Sequence, residues 1–358
     1  MNYAERKPEM TTYVLGAGAS HDAGYPLAKT MASELLRWMK RPSHAPESYA
    51  ARYPATAHFL EEHFTRVDNV EDLVTEIQKT IDEYENGTQT QRLKRAGLAN
   101  EYGVFKNAVR DWFAEIQHGS ALNSTAYKDF ARHIVAPGDH IITFNYDVSL
   151  ERELRLAGKF EVGDGYGFKI DGLPGDSNTK VLKLHGSTSW LALLFGGITS
   201  GFFTSQPGRT LGDPVIARNE LSFLGYTNAA DPRFGSGGAA LPVMIFPARK
   251  KDFYFAANTG PEYADFWNHL WCKAEKALQS AERIVICGYS LLPVDKRAHD
   301  LLLNTPKKNA EIVVASGEDT DRIVSDYKCA GYHSATAADE VLFQRWIANY
   351  TVGVVGAR

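Results

Sequence analysis

The chain has 358 residues, 44% of them hydrophobic, 11% aromatic and 23% charged, a composition ordinary for one large or two smaller globular domains with a substantial core. A net charge of −4, with Lys94-Arg95 and Arg249-Lys250-Lys251 as the only short basic clusters of note, speaks against direct nucleic-acid binding. No apolar stretch approaches the ~20 residues of a membrane span, no signal peptide is visible, and three cysteines without a C-x-x-C pair (Cys272, Cys287, Cys329) give neither a disulfide framework nor a thiolate zinc site, so a cytoplasmic protein is expected.

The first predicted element is a short apolar strand over residues 12–15 that enters Gly16-Ala17-Gly18-Ala19-Ser20, with a helix to follow. Glycines let a main chain approach a ligand closely, and amides at a helix start bind anionic oxygens. A hydride-transferring dehydrogenase would show G-x-G-x-x-G and an acidic residue ~20 positions on, at the end of a second strand. Here His21 occupies the third glycine position, and a helix follows in place of a strand. A plain strand-to-helix turn is the other reading of the loop.

Residues 27–135 show no convincing strand. Leu27, Met31, Leu35 and Met39 share one helical face, Val67, Val70, Val74, Ile77 and Ile81 a second, and Val104, Phe105, Ala108, Val109, Trp112, Phe113 and Ile116 a third. This interval reads as an inserted helical module. Further strands are predicted at 140–144, 181–184, 243–246, 283–287 and 311–315, and a helix at 262–280 carries Phe266, Leu270, Ala274 and Leu278. Alternating strands and helices imply an α/β fold: an open, mostly parallel Rossmann-like sheet with helices on both faces. Residues 191–241, punctuated by Gly196-Gly197, Gly201, Pro207-Gly208 and Gly235-Ser236-Gly237-Gly238, are expected to be a long irregular insert, a lid or an assembly surface.

Three later strands end in residues that carry chemistry. The run at 141–144 ends in Asn145-Tyr146-Asp147; Asp147 suits a ligand contact or a helix N-cap, and Asn145 a ligand contact or a turn. The run at 181–184 ends in His185-Gly186; the histidine is a general base or a structural residue, and Gly186 suggests close approach of another group. The run at 284–287 ends in Gly288-Tyr289-Ser290-Leu291, then Pro293-Val294-Asp295, which suits a phosphate or ribose contact or a βα turn capped by Ser or Asp.

In order, G-A-G-x-S, N-x-D, L-H-G and G-x-S-L resemble the sirtuin family, and more closely the divergent bacterial sirtuin-like enzymes that consume NAD, often in antiphage defence. Asn69-Val70-Glu71-Asp72-Leu73 and the pairing of Pro242-Val243-Met244-Ile245-Phe246-Pro247 with Gly288-Tyr289-Ser290-Leu291 add to the closer likeness, which spans roughly 13–316. The resemblance implies that Gly16, Ala17, Gly18 and Ser20 surround the NAD phosphates and ribose, that Asn145 places a water near the nicotinamide ribose, and that Asp147 reads the carboxamide. It makes His185 the catalytic histidine and Gly288 and Ser290 the second set of phosphate and ribose contacts. Where many sirtuins have an asparagine for the adenosine ribose, this chain has Ala315-Ser316.

Two departures bear on activity. The four-cysteine zinc module of deacylating sirtuins has no counterpart, and Pro26 is followed by Leu27-Ala28-Lys29 where those enzymes have Pro-x-Phe-Arg. The expectation is therefore an NAD glycohydrolase in a single domain spanning 1–358, with a helical insert at about 27–135 and a Gly-rich insert at about 191–241. NAD is its substrate, and no cofactor or zinc is expected. The alternatives are an NAD- or ADP-ribose-sensing subunit and an NAD-dependent deacylase. An unrestrained NAD hydrolase would kill its host. With the sequence ending at Arg358, control is expected from a homo-oligomer or from a partner encoded nearby, such as an ATPase or a nucleic-acid-guided sensor.

Overall fold

A computed structural model describes residues 10–42, 48–64, 70, 74–75, 88–169, 175–194, 215–216, 239–246, 261–293 and 295–355. Its centre is a six-stranded parallel sheet. The strands are β1 (Thr11–Leu15), β2 (His140–Thr143), β3 (Lys180–Lys183), β7 (Arg283–Cys287), β8 (Glu311–Ala315) and β9 (Ala335–Ala337), in spatial order β3-β2-β1-β7-β8-β9. Val14, Ile141, Ile142, Val181, Ile284, Ile286, Ile312 and Val314 are all buried, because helices enclose a sheet of this kind and both faces must be apolar. Helices Ser149–Leu156, Pro261–Ser280, Lys296–Asn304 and Thr320–Cys329 lie between or after these strands, and Phe343–Val355 follows β9.

Numbering in this order, the chain walks outward from β1 to β3 on one side and from β7 to β9 on the other. The reversal falls between β1 and β7, which pair in register from Thr11 with Arg283 to Leu15 with Cys287. A crevice therefore opens at the carboxyl ends of these two strands, where ligands bind in open α/β sheets.

A second sheet is antiparallel: β5 (Val215–Ile216), β4 (Gly186–Leu194) and β6 (Ala239–Met244), with β4 central. The run expected at 243–246 thus belongs to this small sheet, with the strand itself ending at Met244. Residues 191–194, expected to be irregular, continue β4. The remainder of the expected Gly-rich insert, apart from 215–216 and 239–241, lies outside the described residues, as does most of the 67–81 helical face.

Between β1 and β2 stand helices Ala17–Ser20, Ala28–Lys40, Tyr49–Arg52, Pro54–Phe64, Gln89–His118 and Ala126–Asp129. Met31, Leu35 and Met39 bury one apolar stripe against Phe105, Ala108, Val109, Trp112 and Phe113 of another, together with Val70 and Val74. This apolar cluster also takes in Tyr146, Met244 and Phe246. The helices between β1 and β2 therefore lean directly on the segment that follows β2.

Candidate active site

A cavity of about 550 Å³ occupies the crevice. Ala17, Gly18, Ser20, Asn145, Asp147, His185, Gly288 and Ser290 all line it. Of the residues expected to bind NAD or act on it, all are on this wall except Gly16. Asp295, Tyr289, Phe144 and Ser316 also face the cavity.

The glycines are explained by their neighbours. Gly18 N–H donates to the Gly288 carbonyl at 2.9 Å, and Gly16 N–H to that of Cys287 at 3.0 Å. A Cβ on Gly16 would lie 2.5 Å from Gly288 O and from the Tyr289 Cα; one on Gly288 would lie 2.3 Å from Ala19 N. Two loops cross here with no room for side chains, and Gly288 also adopts φ of +60°. Ala19 N–H is committed to the Gly16 carbonyl, so among the amides of 16–19 only that of Ala17 remains for a ligand.

The segment after β2 is tied down link by link. Phe144 N–H donates to the Leu15 carbonyl, Leu184 N–H to that of Thr143 and Thr188 N–H to that of Tyr146, each at 3.0 Å. These bonds set His185 beside residues 144–147. Gly186, with φ of +82°, turns the chain from β3 into β4 just after the histidine. This left-handed backbone conformation favours glycine at that position.

Ser20 is the hub of a buried network. Its hydroxyl donates to Asp147 Oδ2 at 2.6 Å and accepts from Asn145 Nδ2 at 2.9 Å. With the one hydroxyl proton committed, Tyr127 must be the donor in the 2.7 Å contact between Tyr127 OH and Ser20 Oγ. Burial, and next the Asp147 carboxylate, push the Tyr127 phenol well above its ordinary range, so it stays a donor. The Ser20 hydroxyl therefore has one donated and two accepted bonds and no capacity left for a ligand.

Asn145 Nδ2 spends its second proton on the Gly16 carbonyl at 2.8 Å. Its Oδ1 accepts no hydrogen bond from any described residue. Asp147 Oδ1 accepts from Ser149 N–H at 3.1 Å, which is a turn at the start of helix Ser149–Leu156 as well as a site contact. Each carboxylate oxygen retains acceptor capacity. Asn145 and Asp147 therefore present acceptors to the cavity on a rigid base.

Beneath them lies a buried ion pair. Lys183 Nζ is 2.9 Å from Glu151 Oε1, with the two side chains 1% and 0% exposed, and it donates to the Asp147 carbonyl at 2.6 Å. Burial pushes the Glu151 carboxyl upward, and the lysine opposes that shift.

His185 Nε2 lies 2.8 Å from Asp295 Oδ2, and both side chains are buried. The imidazole sits edge-on to Phe144, with ring centroids 5.0 Å apart, and stacks on Tyr146 at 6.4 Å. Phe144 in turn stacks on Tyr289 at 4.3 Å. Asp295 was visible in the sequence only as a cap, and it does cap helix Lys296–Asn304 through Ala298 N–H at 3.1 Å. Tyr127 and Lys183 carried no sequence signal, since their partners lie 107 and 36 positions away.

The Ser290 carbonyl accepts from Arg322 Nη2, which also donates to Asp319 Oδ1, while Nη1 donates to Asp326 Oδ2. Ser316, just after β8, has a buried Oγ with no hydrogen-bond partner among the described residues. Cys287 is buried in β7, while Cys272 and Cys329 are exposed. Among the described residues, no helix is long and apolar enough to cross a membrane, and no group of three or more His, Cys, Asp or Glu side chains could hold a metal ion.

No protein-family model matches the chain, and no curated protein matches it in sequence. Among solved structures it is similar to a Sir2 homologue in complex with NAD, at 13% identity and a TM-score of 0.42 over 97% of this chain and 91% of that one. It is also similar to a mutant Sir2 homologue with 2′-O-acetyl ADP-ribose, at 12% identity and a TM-score of 0.40 over 96% and 93%. A third similar structure is Sir2Tm bound to a propionylated peptide, at 12% identity and a TM-score of 0.39 over 97% and 93%.

Proposed function

We propose that the protein hydrolyses NAD at the nicotinamide–ribose bond, releasing nicotinamide and ADP-ribose. One observation carries this reading: Asn145, Asp147 and His185, from the ends of two strands, wall one cavity with the glycine loop at the reversal of strand order. A volume of about 550 Å³ is within the ~300–1,000 Å³ range of ligand sites. The orphaned Ser316 Oγ is a buried polar atom that a ligand hydroxyl would satisfy.

The bond breaks with positive charge developing on the ribose, and nicotinamide leaves as a neutral ring, so no strong general acid is required. Asp147 accepts from the carboxamide NH2 and fixes the leaving group. Asn145 Oδ1 accepts from the attacking water. His185 takes the water proton as the new C–O bond forms, while the electrons of the C–N bond pass to the ring nitrogen. Ala17, Gly18, Gly288 and Ser290 border the phosphates, and Ser20 acts from behind by holding Asn145 and Asp147 in place. NAD is the substrate, and the reading requires no metal.

In this reading the enzyme acts in the cytoplasm as an effector of antiphage defence, as a homo-oligomer switched on by assembly or by a partner encoded nearby. The sensing alternative predicts stabilisation by NAD or ADP-ribose without turnover; the deacylase alternative predicts nicotinamide release that depends on an acylated lysine. The deciding experiment is incubation with NAD and separation of nicotinamide, ADP-ribose and any cyclic product, alongside NAD measurement in cells that express the chain. Asn145→Ala and His185→Ala should each lose about 10²–10⁴-fold in rate while remaining folded. Nicotinamide release by both variants at the wild-type rate would remove these residues from the mechanism.

A further inference from the structure

We infer that Asp295 is a positioning residue that fixes the tautomer of His185, making Nδ1 the proton-accepting atom of the site. The inference rests on the reading of His185 as a base and adds which atom accepts and what holds it. Asp295 Oδ2 lies 2.8 Å from Nε2 in a buried setting. A carboxylate only accepts, so the Nε2 side of the contact must carry the proton. Neutral imidazole has one N–H, and the basic nitrogen is then Nδ1. The carboxylate is itself held, because Oδ1 accepts from Ala298 N–H at 3.1 Å in the first turn of helix Lys296–Asn304. Phe144 and Tyr146 flank the ring and limit its rotation. When the water proton arrives on Nδ1, the resulting imidazolium lies directly against the Asp295 carboxylate, which favours that state and lends its charge to the transition state.

Among the described residues, the titratable groups on the segments packed against His185 are few. Tyr146 and Asp147 follow β2, and Tyr289 and Asp295 follow β7; residues 244–246, whose Ile245 N–H bonds the His185 carbonyl, bring none. Asp147 is bonded by Ser20 Oγ and Ser149 N–H. Among the described residues, Asp295 is therefore the acidic group that contacts the ring.

The test is Asp295→Asn. Asparagine caps a helix as well as aspartate does, so the fold is kept while the charge goes. The amide NH2 would also donate to Nε2 and drive the proton to Nδ1, blocking the base. Nicotinamide release should fall by about 10²–10⁴-fold. The residual activity should have its acidic limb in kcat/KM moved to lower pH, because the carboxylate no longer favours imidazolium. The second readout is independent of turnover: ring ¹⁵N shifts of His185, assigned with His185→Gln, should show Nε2–H in the wild type and a lowered His185 pKa in Asp295→Asn. A variant with wild-type rate and an unmoved limb, beside an inactive His185→Ala, would overturn the inference. If the wild type itself releases no nicotinamide, hydrolysis fails as a reading. The ring shifts then decide alone: unchanged tautomer and titration in Asp295→Asn refute the pairing.

Discussion

Replacing Lys183 by methionine isolates the energetics of the base on which Asn145 and Asp147 stand. Lys183 is 1% exposed, pairs with Glu151 at 2.9 Å and donates to the Asp147 carbonyl at 2.6 Å. Methionine fills similar volume but leaves a carboxylate that is itself 0% exposed. Removing one partner of a buried pair costs about 3–5 kcal/mol. Glu151 can limit that cost by folding protonated. Its ordinary pKa is 4.5. Holding it neutral at pH 7 costs about 1.36 kcal/mol for each of ~2.5 pH units, or ~3.4 kcal/mol. At pH 5 the same term is only ~0.7 kcal/mol. The sign follows from a carboxyl raised in the folded state: its favourable contribution is complete below 4.5 and is lost as pH rises towards the folded value. Lys183→Met should therefore be about 3–5 kcal/mol less stable than wild type in urea melts at pH 7, and the deficit should shrink by roughly 2–3 kcal/mol at pH 5. Adding Glu151→Gln should recover most of the pH 7 loss. A deficit under 1 kcal/mol, or one of equal size at both pH values, would refute the reasoning.

Gly288→Ala must place a Cβ 2.3 Å from Ala19 N at φ of +60° and should cost about 2–4 kcal/mol. Gly317 has the same φ but no atom closer than 3.7 Å to such a Cβ, so Gly317→Ala should cost only ~1–2 kcal/mol; thermal melts of the pair separate crowding from conformation. Ser20→Ala leaves Asp147 Oδ2, Asn145 Nδ2 and Tyr127 OH each short of a partner, which should cost about 1–3 kcal/mol and lower kcat more than it raises KM in nicotinamide release. His140 is held below its ordinary value of 6.5, first by burial and then by Lys180, so it stabilises the fold in the neutral form. That contribution is complete above 6.5 and is lost as pH falls through the folded value; His140→Gln should flatten the acid side of the stability–pH curve in melts.

The sheet was legible where strands carry Ile and Val between polar turns. The bounds of β7 and β8 coincide with the expected 283–287 and 311–315. The small sheet was not, because β4 begins Gly-Ser-Thr-Ser, which has no hydrophobic pattern; Gly186 pairs with Met244 of β6, and the register shifts before pairing resumes at Leu191. β9, with Ala335, Thr336 and Ala337, is too short and too small-sided to show periodicity; it forms because β8 offers an edge in register. Asn145, Asp147, His185 and Gly288 stood out because strand ends are marked locally. Asp295, Tyr127 and Lys183 did not, because what matters in them is a partner reached only through the fold.

The glycine loop owes its glycines to a contact within the protein that its sequence does not show. From the sequence, Gly16 and Gly18 were expected to admit a phosphate to the backbone. In the folded chain their amides bond to the carbonyls of Cys287 and Gly288, and a side chain at either would strike residues 288–289. The close approach that requires glycine is between two loops of the protein itself. That crossing brings the Gly16 carbonyl within 2.8 Å of Asn145 Nδ2 and Ser20 within 2.6 Å of Asp147. Orientation of the two acceptors in the cavity is therefore a consequence of how tightly β1 and β7 deliver their loops to each other. A substitution at Gly16 should injure the chemistry through Asn145, before any contact with phosphate is lost.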